Sequence, residues 1–407
     1  MEFLQNHSQL IGILLMPLTY GFTGWFTNVV ALKMTFYPLN FIGIPPYLGW
    51  QGIVPRKATG LALKAVQMLT ERLVRVEEFF GKLDPEMIRK NFEPVILKEV
   101  PPAVDQMVNS LEDKYRNLIN EEDRKKIVLL AEEEAVSKVK ELTVLLKENA
   151  NKVFNLKTVV LKNLTGKNVS IIVDIFQGVG KKEFKFIERS GWYFGAALGI
   201  LQMGFWYLYP QWWTLPVQGV IVGYITNWLA LYMIFRPLYP KKFLFLSYHG
   251  LFLKRQEEVS REYSRMFATH VLTPKNIMEE VLYKRTARAV IEAIEDQTGK
   301  IIREKSGDTS SDLIEILDKE TGKIQPKLME EMIGMLSASS STMEKLISRS
   351  MNVEESMFQK MKVLPPEEFE PILRTAFQED EFILILIGSV LGALVGLMQA
   401  VYMIYLG

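Results

Sequence analysis

The sequence predicts an all-α membrane protein: four transmembrane helices in two tandem repeats, each with a long helical soluble region between its two spans. Three observations carry this expectation. Four apolar segments, 10–34, 191–209, 214–235 and 382–406, approach or exceed the roughly 20 residues that cross a hydrocarbon core of about 30 Å. The regions between them, 53–188 and 251–380, carry helical periodicity and few alternating strand patterns. The chain also repeats itself at an interval close to 198 residues, which divides it into repeat 1 (1–209) and repeat 2 (210–407).

The first span lacks a basic leading region and a small-residue cleavage site, so it reads as a retained span rather than a signal peptide. Its centre holds Thr27 and Asn28. On a helix Gly24, Asn28 and Ala31 share one stripe, a surface built for close approach with one amide in it. Pro38 should end this helix. The stretch beyond it, "NFIGIPPYLGWQGIVPRK", is aromatic and apolar and ends in Arg56 and Lys57; Tyr47 and Trp50 suit an interfacial belt, and the basic pair suits headgroup level.

The first soluble region opens with Leu63, Val66, Leu69, Leu73, Val76 and Phe80 at steps of three and four, predicting one amphipathic helix from Arg56 to Phe80. A second helix is expected over 127–154, where Glu134 to Lys138 and Glu148 to Lys152 form favourable i, i+4 pairs. Breaks are expected at Asp84-Pro85, Pro101-Pro102, Thr165-Gly166, Thr273-Pro274 and Pro365-Pro366, and loops at 306–311 and 337–342. The second span carries Gly191, Gly195 and Gly199 on one face, followed by Gln202. Such a ladder permits close backbone contact, and the economical arrangement packs it on the Thr-Asn stripe, with the glutamine as candidate partner of the asparagine amide.

The second half repeats these features. Pro17, Gly24, Thr27, Asn28, Ala31, Leu32, Met34, Phe36, Pro38 and Leu39 recur 199 positions later as Pro216, Gly223, Thr226, Asn227, Ala230, Leu231, Met233, Phe235, Pro237 and Leu238. Asn227 lies nine residues before Arg236, about 13 Å along a helix, and therefore well inside the hydrocarbon. "YPKKFLFLSYHGLFLKR" again ends in a basic pair, Lys254 and Arg255, which with Arg236 are candidate headgroup contacts. The closing span repeats the ladder as Gly388, Gly392 and Gly396, followed by Gln399.

Charge location adds an orientation. No Lys or Arg occurs over 1–32, 190–235 or 382–407, so the basic residues lie in or beside the two long regions, which places those regions in the cytoplasm; periplasmic exposure stays open because long domains translocate regardless of charge. Net charge is only +1, which argues against nucleic acid as a partner. The chain has no cysteine, and His7, His249 and His270 form no metal-ligand spacing. "GVGKK" at Gly178 misses the phosphate-loop spacing, so neither a metal nor a cofactor is expected.

At the Thr-Asn spans the chain resembles the bacterial membrane-protein family catalogued as domain of unknown function 445, in its tandem two-copy form. The family hallmark resembles G-x-x-T-N-W-[LI]-A-[IL]-x-M-[LI]-F-R-P. Gly223, Thr226, Asn227, Trp228, Ala230, Leu231, Met233, Phe235, Arg236 and Pro237 follow it nearly throughout, whereas the first copy departs with Val29 for the tryptophan and Tyr37 for the arginine. The resemblance implies an inner-membrane protein with a helical soluble part, and it carries over no catalytic residues. The expected role is a non-enzymatic membrane scaffold that contacts lipid or tethers partners, either a second copy or another protein, through its amphipathic helices. The alternative is a transporter or channel for a small solute, ion or lipid, completed by oligomerisation.

Overall fold

The structure, a computed structural model, describes residues 11–44, 48–81, 83–243, 246–307, 311–339, 351–378 and 381–405. It is almost entirely helical. The principal helices are α1 (Met16–Phe36), α2 (Ala58–Met68), α3 (Pro85–Ser110), α4 (Glu121–Glu148), α5 (Val169–Val179), α6 (Lys181–Leu208), α7 (Thr214–Phe235), α8 (Gln256–His270), α9 (Lys284–Ser306), α10 (Ser311–Ser339), α11 (Pro366–Gln378) and α12 (Glu381–Tyr405). Two short antiparallel hairpins come after α1 and α7: β1 (Ile42–Ile44) pairs with β2 (Leu48–Trp50), and β3 (Lys241–Phe243) with β4 (Leu246–Tyr248). His7 lies outside the described residues, as do Tyr47 and parts of the loops expected at 306–311 and 337–342.

The chain forms two compact units, and neither coincides with the halves 1–209 and 210–407. The first comprises Met1–Leu73, Val160–Phe267 and Met357–Gly407; the second comprises Val74–Val159 and Ala268–Ser356. Each unit therefore draws on both halves. The physical reason is that helices of one half bury their apolar faces against those of the other: α1 packs on α7 and α12 as well as α6, and α3 and α4 pack on α9.

In the first unit α1, α6, α7 and α12 form a four-helix bundle in which α1 pairs most extensively with α6 and α7 with α12. Among the described residues, α7 and α12 are long and apolar enough to cross a membrane by length and composition. The other two predicted spans are helical but less apolar. Helix α1 carries Thr19, Thr23, Thr27, Asn28, Lys33 and Thr35, and α6 begins ten residues before Gly191 with a charged stretch, Lys181 to Arg189. Helices α1 and α7 end at Phe36 and Phe235, directly before the Tyr37-Pro38 and Arg236-Pro237 steps, as proline dictates.

The second unit is built on α3, α4, α9 and α10. Helix α4 starts with a full capping box, Asn120 and Asp123 exchanging side-chain and backbone bonds of 2.9 and 2.8 Å. Two expectations fail here. The proposed helix 56–80 is broken: α2 ends at Met68, a wide turn covers Leu69–Leu73, and Arg75 is extended where the chain leaves the first unit for the second. Conversely, Pro101 and Pro102 do not break α3, which runs through Pro94 as well. The carbonyls that lose their amide partners belong to Leu97 and Lys98, on the exposed face, where solvent can reach them. Meanwhile Ile88, Phe92, Ile96, Val100, Val104 and Met107 hold the opposite face in the core. The Glu134–Lys138 pair forms at 2.8 Å, whereas Asn149 ends α4 between Glu148 and Lys152.

Candidate functional site

The glycine ladders and the asparagines meet. Within the α1–α6 pair, a methyl group added to Gly24 would run into the Gly191 carbonyl, and the amide of Asn28 donates from Nδ2 to the backbone oxygen of Ile187 at 2.6 Å. Within the α7–α12 pair, a methyl on Gly223 would run into the Gly388 carbonyl, and Asn227 Nδ2 donates to Leu384 O at 2.8 Å. Further along the seams Gly195 lies on Tyr20, Gly199 on Pro17, Gly392 on Gly219 and Gly396 on Leu215. Removing side chains on one face brings backbones close enough for a short amide to reach a carbonyl across the seam. Gly219 was missed from sequence although it stands four residues before Gly223. Tyr20 stands 199 residues earlier than Gly219, and its hydroxyl donates to Leu215 O at 3.3 Å, tying the two helix pairs together.

Thr27 and Thr226 are fully buried but spend their hydroxyls on their own helices, donating to Gly24 O at 3.1 Å and to Val222 O at 2.8 Å. The glutamines are not the asparagines' partners. Gln202 lies eleven residues beyond Gly191, about 16 Å of helix, so its amide is at the wrong level. It is buried with both side-chain polar atoms unpaired, and Gln399 is half-buried. Asn28 Oδ1 and Asn227 Oδ1 are likewise buried without partners. Both asparagines line one cavity of about 20 Å³, with Ala31, Leu32, Thr35, Ile187, Leu231 and Leu384. A cavity of that size accommodates one water.

At the end of the bundle where α6 and α12 begin, charges pair within the protein. Glu183, whose side chain is 1% exposed, accepts from Arg255; Arg255 also binds Glu258 through Nε at 2.9 Å and Nη2 at 2.8 Å, and Lys182 reaches Glu258 as well. Hydrogen bonds from Arg255 and Lys182 hold the Glu258 carboxyl down to about 2. Arg236 lies 3.5 Å from Glu370, which binds Arg374 at 3.0 Å, and Arg374 in turn reaches Glu381 at 3.3 Å. Arg236 and Arg255, expected at headgroup level, both pair with protein carboxylates, of which Glu183 and Glu370 are buried. Arg56 and Lys254 are exposed, and Lys57 is half-buried.

The outer faces of the four helices carry large apolar side chains in the open. Phe22 is 50% exposed, Leu201 70%, Ile221 47% and Val390 54%, while glycine, threonine and asparagine line the helix seams and an apolar cluster of Met16, Tyr20, Trp206, Leu215, Val222, Ala400 and Met403 fills the rest of the interior. An apolar outer face around helices that meet on glycine seams is the pattern of a helical membrane protein. A family model described as a protein of unknown function (DUF445) matches residues 217–355, from α7 through most of the second soluble region, so the chain carries a segment of the DUF445 family. Similar curated proteins are UPF0754 membrane proteins. The one from Bacillus cereus is 32% identical over 21% of this chain and 23% of its own length. That from Exiguobacterium sibiricum is 33% identical over 22% and 26%. That from Staphylococcus aureus strain Newman is 32% identical over 22% and 25%. The chain thus aligns with about a quarter of each relative's length. No solved structure matches the chain.

Proposed function

We propose that the chain is a non-enzymatic, four-span protein of the bacterial cytoplasmic membrane whose two tandem copies build one closed bundle, and that this bundle anchors a helical unit serving as a lipid-contacting scaffold or tether. The observation that carries the reading is the polarity of the bundle. Exposed Leu201, Ile221, Val390 and Leu394, on three of the four helices, would be aggregation-prone in water, yet are the expected surface in lipid. The tandem reading is supported by matching bonds: Asn28 and Asn227 each cross to the partner helix, and Gln51 and His249 bond Leu39 O and Leu238 O at 2.8 and 2.9 Å. Lys33 and Arg236 near one end of the bundle favour a cytoplasmic location for that end.

A second reading, a transporter or channel for a small solute or ion, is favoured by the two unpaired asparagine oxygens on one intramembrane cavity. Reconstitution in vesicles separates the two. The scaffold reading expects stopped-flow shrinkage against potassium chloride, ammonium chloride and glycerol to match protein-free vesicles. Flux abolished by Asn28→Leu with Asn227→Leu would overturn it in favour of transport.

A further inference from the structure

The first unit contains a second, larger cavity that the bundle does not explain. It measures about 330 Å³, within the range of roughly 300–1,000 Å³ typical of small-molecule sites. Most of its wall comes from four helices, α2, α5, α8 and α11, and Glu71 in the turn Leu69–Leu73 and Leu164 complete it. Helices α2 and α8 lie 198 residues apart in the sequence, and α5 and α11 197 apart. Both members of the corresponding pairs Ala65 and Tyr263, and Ile175 and Ile372, line the cavity, so the two halves of the chain build it jointly. Burial raises the Tyr263 hydroxyl above its ordinary value, so this wall stays neutral.

One end of the cavity is basic. There it adjoins a depression of about 180 Å³ that shares Leu61, Lys64 and Thr375 and adds Lys57 and Gly60. The acidic residue on the wall, Glu71, accepts from Gln67 at 3.0 Å. The site also stands at the charged end of the bundle: Phe176 is five residues before Lys181, where α6 begins, and Thr375 six before Glu381, where α12 begins. An apolar slot with a cationic mouth, beside the ends of membrane helices, matches an anionic amphiphile. An extended peptide would need backbone hydrogen-bond partners along its whole length, which a wall made largely of Leu61, Ala65, Met68, Ile172, Ile175 and Phe267 does not offer, and a neutral lipid would gain nothing from the lysines.

We propose that this cavity receives one acyl chain of an anionic membrane phospholipid, with its headgroup phosphate on Lys57 and Lys64. The inference rests on the membrane-spanning reading of the bundle. The test reconstitutes the full chain in phosphatidylcholine vesicles doped with phosphatidylglycerol carrying a photoreactive group on one acyl chain, and maps the labelled peptides by mass spectrometry. Parallel arms use photoreactive phosphatidylcholine and a photoreactive free fatty acid. The expected result is phosphatidylglycerol labelling of 61–68 and 172–176, in addition to the outer faces near Leu201 and Val390. Ala65→Trp, or Ala65→Leu should the first not fold, removes the cavity labelling and leaves the outer-face labelling. Neutralising Lys57→Gln and Lys64→Gln lowers cavity labelling roughly fivefold each and about 30-fold together. Equal cavity labelling by phosphatidylcholine, labelling by the free fatty acid alone, or labelling confined to the outer faces overturns the proposal while leaving the anchor intact. Loss of outer-face labelling with all probes overturns the membrane reading itself.

Discussion

Gly223→Ala is the sharpest test of the seam. A Cβ at this position would lie 2.6 Å from the Gly388 carbonyl carbon and 3.1 Å from Ser389 N, both backbone atoms that no rotamer change can move. Carbon–carbon contacts are optimal near 3.5–4.0 Å, so α7 and α12 must part by about 1 Å. The Asn227 Nδ2 to Leu384 O bond, 2.8 Å in the native seam, then stretches to about 3.8 Å and ceases to be a hydrogen bond. Overpacking costs about 1–3 kcal/mol and the lost interhelical bond about 0.6–1.7 kcal/mol, so a total near 2–5 kcal/mol is expected. Gly204→Ala is the matched control, because a Cβ there meets nothing within 4 Å and gains helix propensity. The assay is equilibrium unfolding in mixed detergent micelles, followed by disulfide trapping of an introduced cysteine pair across α7 and α12. The chain has no cysteine of its own to interfere. Equal stability of Gly223→Ala and Gly204→Ala would refute the close-packed seam.

The same geometry sets other expectations. Arg255→Leu leaves the buried Glu183 carboxylate without its cation and should cost about 3–5 kcal/mol in thermal unfolding, largely recovered by adding Glu183→Gln. Gln202→Leu removes a buried amide with neither polar atom paired and should raise stability by about 1–3 kcal/mol; a loss instead would mean that the amide has a partner. Because the Glu258 carboxyl is held down to about 2 from an ordinary 4.5, its pairing stabilises the fold fully above pH 4.5 and is lost as pH falls through about 2. Glu258→Gln should therefore flatten the acid limb of melting temperature against pH while leaving the neutral region's slope unchanged.

Much of the bundle was legible in the sequence because its physics is local and periodic. Glycines at every fourth residue and an asparagine in an apolar run have few uses besides close helix contact, and Gly24, Gly191, Gly223 and Gly388 meet as the spacing implied. The partner of each asparagine was not legible. An amide can reach any carbonyl at its level, and Ile187 O and Leu384 O carry no signal in side-chain identity. The prolines of α3 misled for a related reason: a helix tolerates an interior proline more readily where the orphaned carbonyl faces solvent, and exposure of Leu97 and Lys98 is a tertiary fact. Arg236 and Arg255 looked like headgroup ligands because a basic residue beside a span commonly is one. Apart from Glu258, three residues beyond Arg255, their carboxylate partners Glu183 and Glu370 lie 72 or more residues away in the chain, on helices whose placement only the fold supplies.

The central claim is that the four-helix bundle is solvated by lipid on its outside and packed on glycine and asparagine within. Single nitroxide labels at Leu201, Val220, Ile221, Val390 and Leu394 in reconstituted vesicles test it most directly, through collision with oxygen and with a water-soluble nickel chelate. The account predicts high oxygen and low nickel accessibility at all five positions, on α6 as well as on α7 and α12. Nickel accessibility on α6 equal to that of an exposed site such as Leu129 would contradict it.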